Sequence, residues 1–204
     1  MDHFQYRRGV LHAEDVAIPA IATAVGTPFY CYSTATMTRH YNVLASSLEG
    51  TGARICYAVK ANSNQGVIRT MVELGAGVDV ISGGELQRAL AAGASADSIV
   101  FAGPGKTNDE LVQALVASIY QFNVESEPEL RLLSALATEM GRVAPVAIRV
   151  NPDVDAGTHE KITTGRKQNK FGIPIARALE IFALGAALPG LAMLGVAIHI
   201  GSQI

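Results

Sequence analysis

One pattern repeats along most of this chain and restricts its fold more than any other feature. A short run rich in β-branched residues is followed by a turn and then by an amphipathic stretch of helical period. The strand-like runs are Arg54–Val59, Val78–Ser82, Ile99–Ala102, Gln121–Val124, Val146–Asn151 and Leu194–Ile200. Between them lie the helical stretches Gln65–Leu74, Gly84–Ala92, Asn108–Ala117, Pro128–Met140 and Ile175–Ala187. Strands alternating with helices specify an α/β fold, either a doubly wound sheet or a barrel. Several of the runs are apolar throughout, which is expected of a parallel sheet covered on both faces. Helix entrances are marked by acid after Asn108 and by Pro128 and Glu129 after Ser126, residues that suit a first helical turn.

Length bears on closure. A β-α-β unit takes roughly 30 residues and a closed eight-unit barrel about 250. The chain has 204 residues and six strand-like runs, so about six of eight barrel units are expected, with open sheet edges. Between Ala178 and Ile200 only Glu180 and His199 interrupt an apolar stretch long enough to span a bilayer. Pro189-Gly190 divides it, however, and no basic flank frames it. It reads as a buried helix, a turn and a buried strand.

Composition excludes several function classes. Nearly half the residues are hydrophobic, 49%, and 17% are charged, enough apolar content for a packed core. Sixteen basic against eighteen acidic side chains give a net charge of -2 with no basic block. No electrostatic footprint for nucleic acid or an anionic membrane is present. The two cysteines, Cys31 and Cys56, form neither a disulfide framework nor a zinc-ligand cluster, which suits a reducing cytoplasm. The residues from Met1 to Arg8 do not have the form of a secretory signal.

Several motifs fail on inspection. Gly103-Pro104-Gly105-Lys106-Thr107 resembles a P-loop, but Val100 stands where that motif needs glycine. It could still hold an anion at a helix start. Gly75-x-Gly77 lacks the third dinucleotide-binding glycine, Val80 standing in its place, and His159-Glu160 is followed by Thr163 where a zinc protease needs histidine. No metal site is expected.

Tyr57-Ala58-Val59-Lys60-Ala61-Asn62 is different. Lys60 ends a strand and reaches the C-terminal mouth of the sheet, where parallel α/β folds bind ligands. Partial loss of water favours the neutral form of an amine, and a neutral amine adds to carbonyls. A strand-end lysine can also simply snorkel to solvent, and spacing alone leaves both readings open.

This segment, followed by Val67-Ile68, Met71 and Gly75, resembles the pyridoxal-phosphate attachment segment of the ornithine/diaminopimelate/arginine decarboxylases, barrel enzymes related in fold to alanine racemase. Gly77-Val78-Asp79-Val80-Ile81-Ser82-Gly83-Gly84-Glu85, Phe101 to Thr107, Arg149-Val150-Asn151-Pro152-Asp153 and His199-Ile200-Gly201-Ser202-Gln203 are similar to later strands of that family. The segment Thr158 to Ile162, with Thr164-Gly165 and Asn169 to Ile173, is similar to the diaminopimelate branch. That branch decarboxylates meso-2,6-diaminopimelate to L-lysine.

The resemblance implies a TIM-type (β/α)8 barrel that binds pyridoxal 5'-phosphate covalently at Lys60. It also implies that His199 stacks on the cofactor ring, that Ser202 helps hold its phosphate, and that Arg149 projects toward it from the strand-five mouth. Asp79 would lie beneath the cofactor near Lys60. Each has a plain structural alternative: a core histidine, a strand-end turn, a salt-bridged rim arginine and a paired interior acid. For Glu85 the helix dipole alone suffices. The family continues with a glycine-rich phosphate loop, an acid for the pyridine nitrogen and a β-rich second domain, none of which precedes Ile204. The expectation is therefore an N-terminal part of a homodimeric, cytoplasmic enzyme, inactive alone. Residues 34–204 would form the partial barrel, and 1–33 would pack with the absent β-domain. Ornithine or arginine decarboxylation, amino-acid racemisation, or non-catalytic cofactor binding are the alternatives.

Overall fold

A computed structural model of the chain describes residues 2–154 and 171–201. It begins with an antiparallel three-stranded meander: β1 (Phe4–Arg7), β2 (Val10–Ala13) and β3 (Val16–Ala17). Two helices follow, α1 (Ile18–Val25) and α2 (Thr34–Ser47). The sequence pattern did not indicate these elements. Glu14 ties the meander to α2, its Oε1 accepting from Ser33 Oγ at 2.7 Å and from the Ala35 N–H at 2.9 Å. Those two donors hold the Glu14 carboxyl below its usual range.

The expected alternation then appears with small boundary shifts. Strand β4 (Cys56–Ala58) leads to α3 (Gln65–Glu73), β5 (Gly77–Val80) to α4 (Gly83–Ala91), and β6 (Ile99–Phe101) to α5 (Asn108–Ala117). Next come β7 (Gln121–Val124), α6 (Glu127–Glu139) and β8 (Ala144–Asn151). The two-residue β9 (Ile173–Pro174), α7 (Ala178–Ala187) and β10 (Leu191–Ile198) complete the described chain. From β4 to β10 every pairing is parallel, and apart from β9, which pairs with β8, the strands neighbour one another in chain order. Sequential parallel order with right-handed crossovers places the helices on one side of a curling sheet, the geometry of a barrel wall. A doubly wound sheet would reverse its order partway.

The sheet therefore has two unlike faces, which corrects the expectation of strands covered alike on both. Toward the helices, Val80, Phe101, Phe122 and Val146 lie side by side in register, all at 1% exposure or less. With Ile68, Leu86, Leu111, Leu130 and Leu133 from the helices they form one core. The other face carries Ala58, Asp79, Val100 and Gln121 in one register row. Asn123, Ala147 and Gly195 form the next. Small and polar residues there leave open space inside the curl. A second correction concerns β10. Its outward residues Leu194, Val196 and Ile198 are more than half exposed, because no described helix follows to cover them. Among the described residues no helix is long and apolar enough to cross a membrane.

Each crossover is fixed where a strand passes into its helix. The side chains of Ser82, Thr107 and Ser126 accept from the backbone N–H three residues on, at Glu85, Glu110 and Glu129. Those glutamates reach back in turn: Glu85 accepts from the Ile81 N–H, Glu110 from the Thr107 N–H and Glu129 from the Glu125 N–H. These reciprocal caps satisfy otherwise orphaned amides and set the angle at which each helix leaves the rim. Thr107 is the cap of α5.

The P-loop-like segment has a structural explanation. Lys106 is buried, and its Nζ donates to the Gly103 and Asn123 carbonyls and to Glu129 Oε1 at 2.7–2.8 Å. Gly103 holds a φ of +90° against Ile81, where a Cβ would come within 3.3 Å. With its ammonium fully engaged, Lys106 is a pin between two crossovers and has no free donor for an anion. Replacing it with Met leaves Glu129 buried without a counter-charge. We expect Lys106→Met to lower unfolding free energy by about 3 kcal/mol in a urea titration.

Candidate active site

The candidate site is built on the polar inner face, at the C-terminal ends of the strands. After β4 the chain makes a single tight turn, Val59–Ala61, that carries Lys60. Val59 is wholly buried beside it, and the Tyr57 hydroxyl donates to the Asn62 carbonyl at 3.0 Å. The turn is thereby held from both sides while Lys60 itself is exposed. The expected partial desolvation of this lysine is not observed; its amine stands in the open mouth of the sheet.

A cleft of about 710 Å³ opens there, lined among others by Lys60, Asp79, Arg149 and His199. Four of the five residues singled out in the sequence thus meet in one cavity, although they are drawn from β5, β8 and the segments following β4 and β10. The fifth, Ser202, lies outside the described residues, as does the expected branch-specific segment up to Lys170. Glu85 is occupied by the helix cap already described.

The electrostatics differ from residue to residue. Asp79 is largely buried, and its Oδ1 has no hydrogen-bond partner. Burial pushes its carboxyl up to about 6, against the opposing attraction of Lys60. Burial, helped by the nearby Arg149 and Lys60 charges, pushes the His199 imidazole below its ordinary value, so the ring is neutral at pH 7. Arg149 is held by Glu125: its Nη1 donates to Oε1 at 2.7 Å, with side-chain exposures of 12% and 4%. Its guanidinium carbon also lies 5.6 Å from the centre of the Phe171 ring. Below Asp79, the Cys56 thiol is pushed up by burial and by the Asp79 charge.

Glu125, Cys56, Asn123 and Phe171 belong to this environment and were not recognised from the sequence. A usable signal existed for some of them. Val78-Asp79-Val80, Phe122-Asn123-Val124 and Ile148-Arg149-Val150 alternate apolar and polar, and period two puts the middle residues on the face opposite the core. Among the described residues no group of three or more His, Cys, Asp or Glu could hold a metal ion.

A solvent-reached amine, an arginine, a neutral imidazole and an unpartnered buried acid suit an anionic, ring-shaped aldehyde. The amine can take the carbonyl carbon, the imidazole can lie on a ring face, and the cation can meet an oxyanion. The orphaned Asp79 oxygen can accept from a donor brought in by the occupant or by Lys60. This fold and site define a cofactor-binding barrel domain. Residues 34–204 match the family described as pyridoxal-dependent decarboxylase, pyridoxal binding domain, and the chain belongs to that family.

Similar proteins point the same way. The chain is 54% identical to a diaminopimelate decarboxylase of Pseudomonas fluorescens and 49% identical to one of Vibrio cholerae, in both cases over the whole chain and 49% of the relative. Among solved structures, the I148L mutant of the diaminopimelate decarboxylase of Helicobacter pylori complexed with L-lysine superposes with a TM-score of 0.88 at 39% identity. That match covers 91% of this chain and 47% of that one. The M. jannaschii enzyme in co-complex with L-lysine gives 0.89 at 36% identity, over 98% and 48%. The chain spans about half the length of the curated relatives it matches.

Asp79 allows a direct test of the site's electrostatics. Its carboxyl titrates near 6 when folded but close to 3.9 when unfolded, so folding favours the protonated form. Below about pH 4 the group costs the fold little; the penalty grows as pH rises and is complete above about 6. In the ligand-free protein, Asp79→Asn is expected to raise stability by about 2 kcal/mol at pH 8 and hardly at all at pH 4. Denaturant titrations at the two pH values measure the difference.

Proposed function

We propose that the protein containing this chain decarboxylates meso-2,6-diaminopimelate to L-lysine, using pyridoxal phosphate attached at Lys60. The observation that carries this reading is the convergence of Lys60, Asp79, Arg149 and His199 on one cleft at the strand ends. When bound, pyridoxal phosphate supplies an electron sink for the pair left behind as carbon dioxide departs. The chain's residues do the rest. The tight turn at Val59–Ala61 holds Lys60 Nζ at the mouth, where its amine would hold the cofactor through the aldehyde carbon. Asp79, in the same cleft, gains and loses a proton near pH 6 and would exchange it with the Lys60 amine. His199, uncharged, would lie against the cofactor ring without adding a cation to it. Arg149 draws an oxyanion to the far wall, and Phe171 beside it keeps water from that wall.

On the same reading Ser202 contributes to the cofactor's phosphate site. Residues 1–33 pack against a β-rich domain of the full protein, a homodimer working in the cytoplasm. The 204-residue chain alone turns over no substrate, because the remaining cofactor and substrate contacts belong to later segments. The full-length protein is expected to release lysine and carbon dioxide from meso-diaminopimelate, with Lys60→Ala lowering the rate at least about a thousandfold. Lys60→Ala should also remove the visible absorbance of covalently held pyridoxal phosphate. Unchanged absorbance would mean that another lysine carries the cofactor. Turnover of ornithine or arginine in place of diaminopimelate would transfer the chain to another branch.

A further inference from the structure

Glu125 has no assigned part in the site, yet its position is fixed with unusual care. It follows β7 directly, and its backbone N–H donates to Glu129 Oε2 at 3.1 Å. The other oxygen of Glu129 is held by the buried Lys106. The Glu125 side chain is 4% exposed and spends one oxygen, Oε1, on Arg149. The other, Oε2, is buried and has no hydrogen-bond partner. A pair serving stability alone is strongest when both oxygens meet both guanidinium nitrogens in a fork. Here a single bond joins them, so the remaining guanidinium donors are left for the cleft that Arg149 lines.

Deepening the function proposed above, and resting on it, we infer that Glu125 is a positioning residue. It fixes the Arg149 guanidinium in the cleft wall so that its other donors meet an oxyanion of the cofactor or of the substrate. The reason is both geometric and electrostatic. A long arginine side chain in a cleft of this size has several rotamers, and a buried carboxylate at 2.7 Å selects one of them. The carboxylate also balances the Arg149 charge near the cationic Lys60, so both cations can face one cavity. The line from Lys106 through Glu129 and Glu125 to Arg149 thus transmits the rigidity of two helix entrances to one cleft donor.

The test uses the full-length protein and two readouts, the dissociation constant of pyridoxal phosphate from spectral titration of the apo form and the KM for meso-diaminopimelate. Glu125→Gln is expected to weaken at least one of them tenfold or more. A change in the dissociation constant assigns the oxyanion to the cofactor, and a change in KM alone assigns it to the substrate carboxylate. Arg149→Met should weaken the same quantity, and Glu125→Gln with Arg149→Met should be no worse than Arg149→Met alone. Glu125→Asp, which keeps the charge, should recover much of the loss. The double substitution Glu125→Leu with Arg149→Met removes both buried charges and guards against misfolding; it should match Arg149→Met. The inference is overturned if Glu125→Gln leaves both quantities within twofold, or if the two single losses multiply in the double variant. Failure of the wild-type protein to bind pyridoxal phosphate would overturn the functional reading and this inference together, whereas normal wild-type binding with an indifferent Glu125 would overturn this one alone.

Discussion

The structure depends on one constraint: parallel strands laid down in chain order can be joined only by crossovers on the same side. All the apolar cover then falls on one face of the sheet, and the other face curls inward with nothing to pack against. Phe101 and Phe122 belong to the first face, and Asp79, Asn123 and Arg149 to the second. The cleft is a consequence of this division, since small and polar side chains facing a concave wall cannot fill it. The division also explains why its chemical groups come from distant parts of the sequence. Each strand contributes at its C-terminal end, where the chain leaves the sheet and side chains are least crowded.

The rim would be of little use if it were mobile, and the helix caps prevent that. Ser82, Thr107 and Ser126 with their glutamates close three strand-to-helix passages in the same way. The last of these passages does more. Glu129 joins the buried ammonium of Lys106 to the backbone of Glu125, and Glu125 joins that frame to Arg149. A cation stands at each end of the line and two carboxylates lie between them, so each buried charge has a counter-charge next to it, the condition under which burial is tolerated. A capping residue, whose ordinary task is local, thereby becomes part of the support of the site.

Much of the architecture was legible because the hydrophobic period is a direct record of which elements meet the core. The helices from Gln65 to Ala117 lie within a residue of their expected positions. The meander before Ala17 was not legible, since its strands are two to four residues long and largely exposed and leave no periodic signal. The two-faced sheet was misread for a similar reason. A single polar side chain in an apolar strand looks like an interruption, above all in the four-residue β5 and β7, although Asp79, Asn123 and Arg149 each occupy the middle of an alternating triplet. Lys60, Asp79, Arg149 and His199 were identified through resemblance, and geometry brings them to one cleft. Glu125 was invisible because its importance lies in a tertiary contact across 24 residues, which no local spacing encodes.

Asp79 shows how far the fold departs from what stability alone would select. An acid with an unpartnered oxygen under a sheet rim works against folding at neutral pH, and an amide or an apolar residue would fit the same register with less penalty. The sheet accommodates it because its neighbours in the row, Ala58 and Val100, are small enough to leave the cleft open above it. The opposing pulls of burial and of the Lys60 charge then hold the carboxyl where it can gain or lose a proton near neutral pH. Moving Asp79 deeper would leave it permanently protonated, and moving it outward would leave it permanently ionised. In both cases it could not exchange a proton near pH 6, which is the part that the proposed function gives it, so the placement that weakens the fold is the one that the proposed chemistry needs.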